Sequence, residues 1–352
     1  MSLVFDHITL GQRVRFAAGH AADNLAAEVD RLGAERVMVI AAPGEAALAE
    51  TVTADIDVTV HHDDVAPHVP LDKADKARTV ATENGIDLLV SIGGGSTTGL
   101  AKAVAMTTGL PIVAVPTTYA GSEATNVWGL TESARKTTGV DDKVLPTTVI
   151  YDATLTLSLP VELSIASGLN GMAHCIDSMW APRADPINRA LAAEGIRALA
   201  AGLPAIKHDP QDLAGREQAL YGAYLSAVAF ASAGSGLHHK ICHVLGGAYD
   251  MPHAETHATV LPYVLALNAA AAPEAASRIA AAFGSATAVE GLNALRATLD
   301  APRALQDYGL AEENIPEAAE KILPVVPETN PRAVSRADLE ELLRAAHAGS
   351  TR

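Results

Sequence analysis

The stretch Asp87-Leu88-Leu89-Val90-Ser91-Ile92-Gly93-Gly94-Gly95-Ser96-Thr97-Thr98-Gly99 decides the fold. Residues 87–92 form an almost unbroken apolar run, which fits a strand covered on both faces, as in a parallel sheet. The glycines then permit a tight turn and close backbone approach, and residues 97–108, stopped by Gly109, read as a helix. In that order, the free amide groups of the helix N-terminus and the Ser96 hydroxyl can cradle a pyrophosphate. The pattern is not G-x-G-x-x-G, and it follows a late strand. Nor is it a Walker A loop, because Leu100 and Ala101 stand where Lys and Ser/Thr would be required. A ligand-free strand-to-helix turn is the alternative.

Around this stretch, residues 36–40, 57–60, 111–115 and 148–151 read as further strands. Helices are predicted between them at 24–32, stopped by Gly33, and at 71–84, stopped by Gly85. This alternation is that of an α/β layer architecture. Pro116-Thr117-Thr118-Tyr119-Ala120-Gly121-Ser122-Glu123 leaves a strand at its carboxyl end, where hydroxyls meet ligands in such sheets. Residues 126–130 and 136–140, about Ser133-Ala134-Arg135, read as a hairpin with Trp128 in a packing role. Beyond Pro160 the chain is rich in alanine and leucine, and helices are predicted at 160–180, 187–203, 212–233, 259–270, 273–284, 288–298 and 337–347. The predicted domains are an α/β dinucleotide-binding domain, 1–157, and a helical catalytic domain, 158–352.

The 352 residues are 49% hydrophobic and 19% charged, as expected of a globular chain too long for one small core. A formal net charge of −16 argues against nucleic acid and anionic membrane as partners, since the long-range field repels both. A small anionic substrate stays possible if positive groups line its pocket. Cys175 and Cys242 match no zinc-ribbon or disulfide spacing, so they are expected to be buried small residues in a reducing cytoplasm. Residues 1–7 lack a basic region followed by an apolar core, which predicts an unexported protein.

Chemistry concentrates in the histidines. His238, His239, His243, His253 and His257 fall within one short segment, and His174 lies four residues after Asn170, on the same helical face. Such a cluster can hold a divalent metal, bind carboxylates or move protons. His7, His20, His61, His62, His68 and His208 are expected to be ordinary core or surface residues and His347 solvated, while His238 and His257 fit either role.

The order Gly93-Gly94-Gly95-Ser96, Pro116-Thr117-Thr118 with Gly121-Ser122-Glu123, Gly168-x-Asn170-x-x-x-His174, and His239 with His253 fourteen residues on resembles the iron-containing alcohol dehydrogenase superfamily. The resemblance spans nearly the whole chain. Within it, residues 168–174 and 246–257 are similar to the maleylacetate reductase branch. The resemblance implies a dehydroquinate synthase-like fold with the active site in a cleft between the two domains. It also implies a nicotinamide site at Gly93, Gly94, Gly95, Ser96, Thr117, Thr118 and Ala42, and a likeness to families that form dimers.

In metal-dependent relatives an aspartate and three histidines hold the metal, at the positions of Asn170, His174, His239 and His253. Here a neutral amide replaces the carboxylate, which should lower affinity for Fe²⁺. No metal is therefore expected; if one binds, its ligands are His174, His239 and His253, which also describe an open zinc site. Without metal, partly protonated His174, His239 and His253, with Lys240 or His238 nearby, could receive a substrate carboxylate. His243 corresponds to the position beside the nicotinamide and is the first candidate proton donor. The implied reaction is NADH-dependent reduction of the carbon-carbon double bond of maleylacetate to 3-oxoadipate, in aromatic-compound degradation. Ala41-Ala42-Pro43-Gly44-Glu45 after the strand at 36–40 lacks the aspartate common in NAD-specific relatives, so NADPH should be tolerated, with Glu45 restoring some discrimination. The competing readings are a metal-dependent alcohol dehydrogenase acting on a small alcohol or aldehyde, a lyase of the dehydroquinate synthase type, and a noncatalytic nucleotide-binding protein.

Overall fold

A computed structural model describes residues 5–132 and 135–350. The chain forms two compact units, Leu10–Leu159, and Pro160–Arg352 together with the residues up to Thr9. The division falls two residues beyond the expected one, and the segment before Leu10 groups with the second unit. His7 makes that attachment, its Nδ1 lying 2.7 Å from Asp185 Oδ2 and 3.2 Å from Ser232 Oγ.

In the first unit the strands are β1 (Arg13–Phe16), β2 (Val37–Ile40), β3 (Val58–His62), β4 (Leu88–Gly93), β5 (Ile112–Pro116), β6 (Val127–Glu132), β7 (Arg135–Val140) and β8 (Thr148–Tyr151). Six of them form one sheet in the order β1-β8-β5-β4-β2-β3, every pairing parallel. The helices are α1 (Ala21–Leu32), α2 (Ala46–Val52), α3 (Leu71–Glu83) and α4 (Gly95–Thr108). Val37 and Val39 of β2, with Leu88, Val90 and Ile92 of β4, pack with Leu25, Val29 and Val52 of α1 and α2. Met38, Ile40 and Leu89 pack on the other side with Ala74, Ala77, Leu100 and Val104 of α3 and α4. Alternate residues thus serve opposite faces, and that double covering explains why these strands read as continuous apolar runs.

β6 and β7 form the expected antiparallel hairpin; its turn at 133–134 lies outside the described residues. Trp128 packs as expected, close over the Gly139 backbone of the partner strand. Lys102, fully buried on α4, donates to the carbonyls of Ser122 (2.6 Å), Thr125 (2.8 Å) and Val127 (2.8 Å), tying the segment after β5 to α4.

The second unit is helical: α5 (Val161–Ser178), α6 (Pro186–His208), α7 (Leu213–Ala233), α8 (Leu237–Tyr249), α9 (His253–Ala269), α10 (Pro273–Phe283), α11 (Ala288–Leu299), α12 (Ile315–Ile322) and α13 (Arg336–Ala348). Two of these, α8 and α12, were not predicted. Another, α6, runs through Pro204, where the sequence predicted a stop. Leu237, Ile241 and Leu245 of α8 and Val260 and Val264 of α9 share a core with Ile315, Ile322, Leu339 and Leu343 of α12 and α13. That packing fixes α8 and α9 side by side and so brings their histidines together.

Candidate active site

The predicted nucleotide residues lie together at the carboxyl ends of three neighbouring strands. Gly93 ends β4, Gly94 caps α4, and Gly95 and Ser96 open its first turn. Gly93 has φ +148°, and a Cβ there would lie 2.6 Å from Thr97 Oγ1, so no other residue fits without displacement. Gly94 packs against Thr118, and the Thr117 amide donates to the Gly93 carbonyl at 3.2 Å. Ala42 follows β2, and Glu45, three residues on, accepts from Thr117 Oγ1 at 3.0 Å. From β2 the chain moves to β3 on one side, whereas β4 lies on the other and leads to β5. The crevice between the ends of β2 and β4 is therefore a topological switch point, the usual ligand position in such sheets.

In the helical unit, α5, α8 and α9 bring together six histidine rings, with Phe230 of α7 against them. His174 of α5 stacks on His239 of α8 at 4.9 Å between centroids, and Phe230 of α7 lies 4.6 Å and 4.4 Å from the same two rings. His257 of α9 lies 4.8 Å from His239, 5.0 Å from His238, 4.3 Å from His253 and 6.3 Å from His243. His243 is exposed, 6.1 Å from His239 and 6.5 Å from His253, also exposed; Lys240 is half-buried on the same helix as His243. Asn170 is buried on α5. The two histidines that fitted either role, His238 and His257, belong to the cluster.

Two hydrogen bonds behind this wall set ring orientation. Asp177, fully buried one turn beyond His174, accepts at Oδ2 from His239 Nδ1 (2.8 Å), the Gly236 amide (2.9 Å) and the His239 amide (3.4 Å). The sequence reading missed Asp177; a lone carboxylate inside the apolar run 172–180 was the available signal. His238 Nε2 lies 3.1 Å from His257 Nδ1. Asn170 Oδ1, His174 Nδ1, His239 Nε2 and His257 Nε2 are buried without a protein partner. Polar atoms in that condition are satisfied by a ligand or water.

Burial pushes His174 down to about 3, with the charge of His243 adding to the effect, and burial likewise brings His238 down to about 3. His239 and His257 are held well below the usual imidazole range by the same cause. Burial raises Asp177 to about 7 against the backbone amides of His239 and Gly236. The expectation of partly protonated His174 and His239 is thus corrected: in this dry setting they are neutral near pH 7.

The donors expected for a metal, His174, His239 and His253, do not form a group with all donor atoms within 4.8 Å of one another. Among the described residues, the group whose donor atoms all lie within 4.8 Å of one another is His238, Cys242 and His257. Two of those atoms already share a hydrogen bond. With the neutral Asn170 in place of a carboxylate, this donor set offers iron no anionic oxygen. Cys175 and Cys242 are free and buried, as expected.

Residues 11–153 match the profile described as iron-containing alcohol dehydrogenase, and residues 164–347 match that of the Fe-containing alcohol dehydrogenase family, C-terminal. The chain belongs to the iron-containing alcohol dehydrogenase family. Its relatives in this family include the maleylacetate reductase of Burkholderia cepacia, 44% identical over 341 residues and 96% of each chain. Maleylacetate reductase 2 of Cupriavidus pinatubonensis is 45% identical over 342 residues, 96% of this chain and 95% of its own. Among solved structures, an iron-containing alcohol dehydrogenase from Corynebacterium glutamicum superposes with TM-score 0.99 at 63% identity, covering 100% of this chain and 99% of its own. The maleylacetate reductase of Agrobacterium tumefaciens gives 0.95 at 39% identity, covering 99% of both. A family of oxidoreductases thus accounts for both the sheet with its glycine loop and the histidine-bearing helices.

Proposed function

We propose that the protein reduces the carbon-carbon double bond of maleylacetate, giving 3-oxoadipate, with NADH and without a metal. The full-length identity to maleylacetate reductases carries this reading. Asn170 supports its metal-free form, because a metal-dependent alcohol dehydrogenase needs a Lewis acid to polarise an unconjugated oxygen. In an enone, conjugation already spreads the charge.

Reduced nicotinamide supplies a hydride to the carbon β to the ketone. The amides at Gly94 to Ser96 and the Thr117 and Thr118 hydroxyls hold the pyrophosphate and its neighbours. Lys240 attracts the substrate carboxylates, and neutral imidazole N–H groups receive the ketone oxygen as it becomes an enolate. His243 delivers a proton to the carbon between, completing uptake of one hydride and one proton. Glu45 beside Thr117 favours NADH, while the missing aspartate after β2 leaves NADPH tolerated.

The resemblance further suggests a homodimer in the cytoplasm; no helix among the described residues is long and apolar enough to cross a membrane. NADH oxidation by chelator-stripped enzyme with maleylacetate, alongside metal analysis of the same sample, tests the assignment. Turnover without metal is expected. Activity restored only by Fe²⁺ or Zn²⁺ would make the histidines ligands, and turnover of short-chain alcohols or aldehydes alone would replace the substrate.

A further inference from the structure

We propose that Arg296 is a positioning residue: from α11 it donates to the Ala258 carbonyl, which Pro262 leaves without its helical donor, and so fixes the leading segment of α9 with His253 at its start. The maleylacetate reading, on which this rests, takes His253 as one of the imidazoles that receive the substrate.

α9 runs unbroken through Pro262, and the stretch from Ala258 to Pro262 is buried. In an α-helix the N–H of residue 262 donates to the carbonyl of residue 258, but proline has no N–H. A buried carbonyl left bare is costly. Arg296, itself buried, supplies the donor: its Nη1 bonds the Ala258 carbonyl and its Nη2 the Pro302 carbonyl at 2.7 Å. Burial lowers the guanidinium to about 10, which leaves it charged near pH 7, and charge-assisted bonds are stronger than the amide bond they replace. A bond to Pro302 alone would serve the chain leaving α11. The second arm of the fork reaches the middle of α9, where a proline has removed a donor.

Leverage makes this bond matter to His253. That residue opens α9, nine positions before Pro262, which is about 14 Å along the helix axis. A tilt of about 10° at the proline would carry its ring about 2 Å, and a misplacement of about 1 Å can cost 10²-fold in rate. His257 lies only five positions from the proline and is fully buried among its neighbours, so it moves less. His253 is exposed, with its ring 4.3 Å from His257 and 6.5 Å from His243, and depends more on the direction of the helix that carries it.

The test measures kcat with maleylacetate, and NADH affinity by fluorescence, in wild type, Arg296→Met, Arg296→Met with Pro262→Ala, and Arg296→Met with His253→Ala beside His253→Ala alone. Arg296→Met should lose about 10- to 100-fold in kcat with NADH affinity within about threefold of wild type. Pro262→Ala restores the missing N–H, so adding it should bring kcat back to at least about a tenth of wild type and above the single variant. In the His253→Ala background Arg296→Met should cost less than about threefold, because the group it positions is gone. An Arg296→Met enzyme within about threefold of wild type, no recovery with Pro262→Ala, or an undiminished cost in the His253→Ala background overturns the proposal; the last result would make Arg296 a support of the fold only. If Arg296→Met fails to fold, the double variant with Pro262→Ala decides: a folded enzyme with at least about a tenth of wild-type kcat supports the proposal, and an unfolded or slower one overturns it. Failure of wild type to reduce maleylacetate, read first in the same assay, would overturn the underlying assignment and this role with it.

Discussion

Asp177 Oδ2 accepts the His239 Nδ1 proton at 2.8 Å, and both side chains are sealed from solvent. This bond joins α5 to α8 and leaves His239 Nε2, also buried, without a protein partner. Removing it in Asp177→Ala leaves the Nδ1 proton and two backbone amides without an acceptor, so kcat should fall about 10- to 100-fold. Asp177→Asn keeps an oxygen for all three donors and should retain more activity. Steady-state kinetics with parallel NADH titration checks this; equal losses in the two variants would show that charge, not geometry, is the asset.

Gly236 is fixed by the same carboxylate, since a Cβ there would lie 2.3 Å from Asp177 Oδ1. Gly236→Ala must therefore displace Asp177 or the start of α8. The expected result resembles Asp177→Ala in kcat and adds a lowered melting temperature, read by thermal denaturation.

Acid should unfold the helical unit early. His174 and His238 are held down to about 3 against an ordinary 6.5, and His239 and His257 lie lower than usual too. Between those values the unfolded chain binds more protons than the folded one, so stability falls as pH drops through about 6.5 toward 3. Asp177, raised to about 7 from 3.8, acts in the opposite direction, but it is one carboxyl against four imidazoles. The melting temperature should fall clearly between about pH 7 and about pH 5, and a flat profile would contradict the neutral cluster.

The nucleotide domain was legible in the sequence because its central strands are covered on both faces, and such strands read as apolar runs bounded by glycine. β1 was not, because Arg13-Val14-Arg15-Phe16 lies at the sheet edge with its arginines partly exposed and shows no apolar run. α8 escaped prediction because its buried face includes His238 and His239 beside Leu237, Ile241 and Leu245, so hydrophobic periodicity is broken at the histidines. The six histidines that α5, α8 and α9 bring together were singled out by clustering and resemblance. Their neutrality was not, since it follows from burial that only packing creates. Asp177 and the His238–His257 bond depend on how α5, α8 and α9 pack, which no local pattern encodes.

Glu45 should govern cofactor choice. It follows β2 and is held beside the β5 loop by Thr117. A carboxylate there repels a 2′-phosphate and can accept from a ribose hydroxyl, so Glu45→Gln should lower the KM for NADPH and raise that for NADH, narrowing their ratio by about tenfold. Kinetics with both cofactors decides; an unchanged ratio would remove Glu45 from specificity.

Asn170→Asp tests why the amide stands where metal-dependent relatives carry a carboxylate. Asn170 and His174 share one face of α5, and both Asn170 Oδ1 and His174 Nδ1 are buried without a protein partner. A new carboxylate at that place has no cation beside it, so burying its charge should destabilise the metal-free protein by about 1–3 kcal/mol. A divalent ion would supply the missing countercharge and add a hard oxygen donor near imidazoles. The variant should therefore melt below wild type when stripped, recover on addition of Fe²⁺ or Zn²⁺, and retain metal through gel filtration. Wild type should show neither shift nor retention. If wild type is stabilised as much as the variant, the amide does not exclude metal and the metal-free reading loses its chief support. If neither responds, the histidines are too far from convergence for one carboxylate to restore a site, and the geometry of α8 and α9 sets metal independence on its own.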